Sequence, residues 1–294
     1  MYKKIQDYIL LTKPRVISLL LLVAVCSCLI GNKGIPNVSV IISIIIGGAF
    51  AAGGAGSLNM AYEHKIDKAM GRTKNRPVAE GRVTPFSASV WGILLNIFSF
   101  IILFYFINYI AASLAILGTI LYFILYTVIL KKRTSQNIVI GGAAGCIPAL
   151  VGYSAGSNGI IDSTAIWLFL IIFVWTPPHF WALSIVIKKD YEKVGIPMLP
   201  VTKGINYTQI NILIYSIITS IFCLILTFIN QSLGIFYFFS TIIISIILIL
   251  YSIKIIKTKE NDLKKKHSLN FYKYSMLYLA LIFISSSLDI IVFS

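Results

Sequence analysis

Asn59, Glu63 and Asp67 stand at every fourth position where a long apolar stretch gives way to polar sequence. On a helix turning about 100° per residue, the three fall within about 80° of one another, along one stripe two turns long. Oxygen-bearing side chains in such an arc suit Mg²⁺, which keeps several waters and takes one or two carboxylates together with substrate phosphate. Arg72, Lys74 and Arg76 follow within a few residues, and cationic forks match phosphate oxygens. Acidic metal ligands beside cations point to a polyphosphate leaving group, its charge shared between ion and side chains. A plainer reading competes: a polar loop in which Glu63 and Asp67 pair locally with Lys65 and Lys68. Carboxylates beside a bilayer are costly, and this chain has only ten acidic residues, so chemistry is the stronger reading.

A second polar cluster sits inside a later apolar stretch, Trp175-Thr176-Pro177-Pro178-His179-Phe180-Trp181. Tandem prolines remove two amide donors and predict a broken helix, tolerated at membrane depth only where protein buries it or a cavity adjoins it. His179 follows directly. A histidine there can ligate iron, donate to a carboxylate or move a proton; it can equally satisfy carbonyls freed by the prolines. The flanking aromatics also fit an interfacial belt. Asp190 comes eleven residues later, about 20° from His179 if helix resumes between them, which would put both on one face. It can also pair simply with Lys188 or Lys193. Two prolines and two glycines between 188 and 204 predict a defined loop. Lys131, Lys132 and Arg133 lead into a glycine-rich helix containing Pro148, a suitable seat for an anionic substrate, although topology accounts for these charges as well.

The elements that must position these groups are transmembrane helices. Of 294 residues, 58% are apolar and 12% charged, against roughly 25% charged in a soluble domain. That excludes disorder, a disulfide scaffold and a secreted domain. Nine stretches have about the 20 apolar residues a span needs: near 16–31, 38–62, 87–106, 109–130, 137–156, 164–187, 208–229, 233–253 and 271–293. They lack strand-like alternation, so the fold class is all-α, one membrane domain over residues 1–294. Of the 25 Lys and Arg residues, all but Lys33 fall in the N-terminal segment, in the loops after even-numbered spans or, for Lys273, at the inside end of the last span. The positive-inside rule then gives a cytoplasmic N-terminus and, with nine spans, an outside C-terminus. The net charge of +15 therefore needs no nucleic acid. Lys3 and Lys4 before an apolar run have the layout of a signal peptide, but Pro14-Arg15 interrupts it. Cys26, Cys28, Cys146 and Cys223 lie in apolar stretches without zinc or disulfide spacing and read as buried thiols.

These motifs resemble a known family. Asn59-x-x-x-Glu63-x-x-x-Asp67 followed by Arg72-Thr-x-x-Arg76-Pro77 is similar to the first motif of the intramembrane prenyltransferases related to 4-hydroxybenzoate polyprenyltransferase. Trp175-Thr-Pro-Pro-His-Phe-Trp-Ala-Leu183, Lys189-Asp-Tyr191 and Gly195-Ile-Pro-Met-Leu-Pro200 resemble the branch that farnesylates haem, as do Arg133-Thr-x-Gln-Asn137 through Gly145 and Thr12-Lys-Pro-Arg15. The resemblance runs from about residue 10 to about 205. It implies a nine-helix bundle around an inside-facing cavity in a prokaryotic cell membrane, with the active site on the cytoplasmic side. Farnesyl diphosphate and haem B are the implied substrates, Mg²⁺ the implied cofactor, and a haem A synthase or terminal oxidase assembly a possible partner. Carried onto this chain, Asn59, Glu63, Asp67 and Asp190 become metal-binding and catalytic residues. Arg72, Lys74, Arg76 and Lys189 become diphosphate ligands, and His179, Arg133 and Trp175 fall on the haem side. Most of the wider family carries a second aspartate-rich motif; here its candidates reduce to Asp190 and Glu192.

Two other readings keep the same residues. A prenyltransferase with an aromatic quinone precursor would use the first cluster equally well, but the proline-histidine segment argues against it. A transporter would carry ionisable groups near midplane, whereas nearly all of these cluster at the inside ends. Asp289, near the outer end, stands apart from both patterns.

Overall fold

The computed structural model describes residues 2–292, with side chains from Lys4 onward. Position 293, the end of the last predicted span, and the Lys3 side chain lie outside the described residues. A short helix α1 (Tyr2–Leu11) precedes the bundle. The spanning elements are α2 (Pro14–Asn32), α3 (Val38–Ala69), α4 (Pro85–Phe106), α5 (Tyr109–Ile120) with its π-helical continuation Leu121–Leu130, α6 (Asn137–Gly141) with α7 (Ala143–Gly156), and α8 (Ser163–Val186). Two short helices, α9 (Lys188–Lys193) and α10 (Leu199–Thr202), lead into α11 (Gly204–Ile229), α12 (Ile235–Lys257) and α13 (Asn261–Val292). Among the described residues, nine stretches are long and apolar enough to cross a membrane, and they match the nine predicted ones.

Helices of this kind gain little from mutual hydrophobic attraction in lipid, so small residues and interhelical hydrogen bonds hold them together. α3 packs along α4, and α2 along α7. A Cβ on Gly54 would come within 2.6 Å of the Gly92 carbonyl oxygen on α4, and one on Gly152 would collide with the α2 backbone at Ala24. Only glycine permits either approach. Ser57 Oγ donates to Ala88 O at 2.7 Å, Ser99 Oγ to Gly47 O at 2.7 Å, and Asn108 Nδ2 to Ser154 O at 3.0 Å. The four cysteines are free and buried, as the sequence suggests.

Three features depart from expectation. α1 is an additional helix, tied down by an Asp7–Arg82 ion pair at 2.9 Å and an edge-on contact between Tyr8 and Trp91. α3 does not end with its apolar stretch but runs 32 residues to Ala69. At 1.5 Å per residue that is about 48 Å, well beyond a hydrocarbon core of roughly 30 Å, and the surplus carries Glu63 and Asp67. The predicted break at Pro177-Pro178 does not occur: α8 passes through both prolines without interruption. The carbonyls the prolines deprive of a donor are those of Phe173 and Val174, while Thr176 Oγ1 donates to Ile172 O one turn before it at 2.7 Å. The helix instead ends at Val186, and Ile187 separates it from α9. The angular reckoning that put His179 and Asp190 on one helical face therefore does not apply.

Asp289 finds its role here. It is buried on α13 and accepts the backbone N–H groups of Gly234 and Tyr237, which are among the first donors of α12. The carboxylate caps that helix from its neighbour, satisfying amides that have no partner within the helix.

Candidate active site

α3 brings Asn59, Glu63 and Asp67 together on one buried stripe, with only 2–3% of each residue exposed. Asn59 Nδ2 donates to Glu63 Oε2 at 2.9 Å, as the four-residue spacing requires. The ion pairs are not the local ones with Lys65 and Lys68. Arg76 Nη1 reaches both Asp67 oxygens, at 2.9 and 2.8 Å. Lys131 Nζ lies 2.6 Å from each Glu63 oxygen. Lys13 Nζ donates to Asn59 Oδ1 at 2.7 Å and to Tyr122 Oη at 3.3 Å. Two carboxylates thus face three cations drawn from three different segments.

The π-helical segment supplies the opposite wall. Thr127 Oγ1 accepts from Asn59 Nδ2 at 3.1 Å and donates to Tyr122 O at 2.9 Å, Tyr122 Oη meets Lys13, and Lys131 caps the segment. π-helical turns are rare and concentrate at functional sites. Lys13 is held in the left-handed region at φ 55°, ψ 57°, directly before Pro14. A non-glycine residue there stores about 1–3 kcal/mol of backbone strain. Burial, with Arg76 and Lys131 nearby, lowers the pKa of Lys13 to about 7, against partial compensation from Glu63 and Asp67. Tyr191 on α9 is buried nearby, packed with Met70 and Ile138. Burial raises its pKa, while the neighbouring Arg72 and Lys131 oppose the rise.

Sequence reasoning missed Lys13 in this role. A lysine at the mouth of the first span is what topology demands, and its partner lies 46 residues away. The other expected residues are placed less centrally. Arg72 sits beside Tyr191; Lys74, Lys189 and Arg133 are exposed. Asp190 is half-buried against Gly71, where an added Cβ would lie 3.7 Å from its Oδ1. It does not join Glu63 and Asp67 in a three-carboxylate group, and no set of three His, Cys, Asp or Glu residues among those described converges for a metal. The donor chemistry of the α3 stripe nonetheless fits Mg²⁺: hard amide and carboxylate oxygens, buried and convergent. The oxygens are engaged by the protein's own cations, which are also the groups able to take up phosphate charge.

His179 and Trp175 lie elsewhere, packed against α13. His179 is 7% exposed. Its ring is sandwiched between Trp175 at 4.4 Å and Tyr272 at 4.6 Å, and Nδ1 lies 2.7 Å from Ser275 Oγ. Trp175 Nε1 donates to Ser275 O at 2.9 Å. Phe180 links the two clusters. It stands perpendicular to His179 at 5.4 Å and packs in the apolar group of Met70, Tyr126 and Tyr191 under the polar stripe.

Comparison with known proteins places the chain in a family. A family model described as the UbiA prenyltransferase family matches residues 19–277. The chain is 42% identical over 97% of its length to the Protoheme IX farnesyltransferase of Thermus thermophilus, spanning about half, 46%, of that protein. It is 42% identical over 95% of its length to the Protoheme IX farnesyltransferase of Picosynechococcus, spanning 86% of it. In solved structures the same fold occurs in a digeranylgeranylglyceryl phosphate synthase, with TM-score 0.77, 18% identity and coverage of 98% of this chain and 99% of the other. It occurs again in a UbiA homolog from Archaeoglobus fulgidus bound to GPP and Mg²⁺, with TM-score 0.63, 16% identity and coverage of 96% and 99%.

Proposed function

The chain belongs to the UbiA prenyltransferase family, and from that premise we propose that it transfers a farnesyl group from farnesyl diphosphate to a vinyl group of haem B. The carbon–oxygen bond at the farnesyl C1 breaks and diphosphate leaves. The vinyl group forms the new carbon–carbon bond to C1. Water adds to the resulting benzylic-type cation and loses a proton, giving the hydroxyethylfarnesyl side chain of haem O. The observation that carries this reading is the buried rung of Asn59, Glu63 and Asp67 facing Lys13, Lys131 and Arg76. The relatives named above, at about 40% identity, supply the substrate pair.

Asn59, Glu63 and Asp67, with Asp190 a candidate for a second carboxylate, would hold Mg²⁺, which supplies positive charge to the departing diphosphate. Released from Asn59, Glu63 and Asp67, the side chains of Lys13, Lys131 and Arg76 would turn to the diphosphate oxygens. Arg72 stands beside them, and the exposed Lys74 and Lys189 would draw the anion toward the mouth of the site. The apolar surroundings hold the isoprenoid and keep water from the carbocation. No covalent enzyme intermediate is needed. His179 and Trp175 would form the haem side, and the exposed Arg133 would meet a propionate. In this reading the site opens on the cytoplasmic face of a prokaryotic cell membrane, where the basic loops lie. A haem A synthase or terminal oxidase assembly is then the expected consumer of product.

The test is mass spectrometry of haem after incubating the purified chain with haem B, farnesyl diphosphate and Mg²⁺. The expected product has gained one farnesyl group and one hydroxyl. Unchanged haem, with a hydroxylated benzoate prenylated instead, would overturn the assignment in favour of a quinone-precursor enzyme.

A further inference from the structure

His179 has more structure around it than a filler of the bundle needs. Both ring faces are covered, by Trp175 and Tyr272, which leaves only in-plane directions for a new bond. A lone pair on an imidazole nitrogen lies in that plane, so the stacking orients ligation rather than blocking it. One edge is taken: Nδ1 is 2.7 Å from Ser275 Oγ. Ser275 Oγ in turn donates to Tyr272 O at 2.8 Å. A hydroxyl has one proton and two lone pairs. With its proton directed to the Tyr272 carbonyl, Ser275 Oγ accepts from His179, so the imidazole proton sits on Nδ1. Among the described residues Nε2 has no hydrogen-bond partner. The opposite tautomer would draw the Ser275 proton to Nδ1 and forfeit its bond to the Tyr272 carbonyl.

We infer that Ser275 is a positioning residue that locks His179 in its Nδ1-protonated tautomer and thereby presents Nε2, with its lone pair free, to the iron of the haem substrate. The inference rests on the function proposed above and assigns a role to α13, a helix outside both sequence motifs. A ligating histidine whose far nitrogen is fixed by a hydrogen bond is the usual arrangement at metal centres, and loss of such a partner costs 10–100-fold in affinity. Phe180, perpendicular to His179 and packed beneath the polar stripe, puts a single aromatic layer between this ring and the diphosphate end of the site.

The chain has three histidines, so ¹⁵N NMR of histidine-labelled protein in detergent, with His179 assigned by a His179→Gln variant, reads the tautomer directly and without haem. Protonated Nδ1 and unprotonated Nε2 are expected; the reverse overturns the inference. In haem titrations, wild type should show an imidazole-ligated iron spectrum. Ser275→Ala should bind haem B about 10–100-fold more weakly with farnesyl diphosphate affinity unchanged, and Ser275→Thr should restore it. Wild-type haem affinity and spectrum in Ser275→Ala would sink the role of Ser275. If wild type binds and farnesylates haem without an imidazole-ligated spectrum, this inference falls while the proposed function stands. If wild type binds no haem, both fall. The NMR measurement needs no variant at Ser275, so a folding defect there leaves the inference open to refutation.

Discussion

Asp67 meets Arg76 through both carboxylate oxygens in a setting almost closed to solvent. Removing one member of a buried pair typically costs about 3–5 kcal/mol because the other charge is left alone. Asp67→Asn keeps the shape and one acceptor. We expect it to lower kcat by at least about 100-fold with a melting temperature only a few degrees below wild type; near-normal turnover with Mg²⁺ would remove Asp67 from the metal site. Lys13 makes a second prediction. Its pKa of about 7 lies below the ordinary lysine value, so above pH 7 the folded chain holds it neutral. A bound diphosphate favours the charged form and raises that pKa, so binding takes up a proton. Farnesyl diphosphate affinity should fall as pH rises from 7 toward 9, and fall less steeply in Lys13→Met; parallel slopes in calorimetry would contradict this. The sign for stability follows the same logic: a lowered pKa means the unfolded chain binds the extra proton, so this group's contribution grows as pH rises from 7 toward 10. At this scale the carboxylate stripe is legible in sequence because helix geometry fixes neighbours four residues apart. The partners of that stripe are not, because Lys13 and Lys131 arrive from helices 46 and 68 residues away.

Among the elements, α8 and α12 show where local rules give way to context. Two prolines in succession should break a helix, and in water they do. In α8, enclosed by α7, α11 and α13, the helix stays intact through both. Proline spacing alone carries no information about those surroundings. The spans themselves are readable to within a few residues, since apolar length is the property the bilayer selects. The exceptions are the extended end of α3 and the helix α1, whose polar residues hide them from a hydropathy reading. The cap on α12 is equally hidden, because Asp289 lies 55 residues from the amide of Gly234 that it accepts. Asp289→Ala should destabilise the bundle by about 1 kcal/mol, within the usual 0.5–2 kcal/mol for a lost cap, seen as a lower midpoint in thermal unfolding with prenyl transfer intact. Lost transfer at unchanged stability would mean that the carboxylate serves something other than α12.

For the molecule as a whole, the asymmetry of charge predicts its orientation. Cysteines placed at Ile160 and Lys257, both exposed and at opposite ends of the bundle, should react differently with a membrane-impermeant maleimide. Ile160→Cys is expected to label in intact cells and Lys257→Cys only after permeabilisation; the opposite pattern would invert the topology. The four native thiols are buried and should stay silent. A last consequence follows from the way the polar chamber is already balanced by Lys13, Lys131 and Arg76. A lone divalent ion would have to evict those side chains with nothing to receive them, and a lone phosphoanion would find them occupied. A salt of the two satisfies both halves of the exchange at once. If the stripe holds Mg²⁺ as proposed, each should therefore sharpen the other's affinity by the same factor, and magnesium alone should bind the free chain weakly.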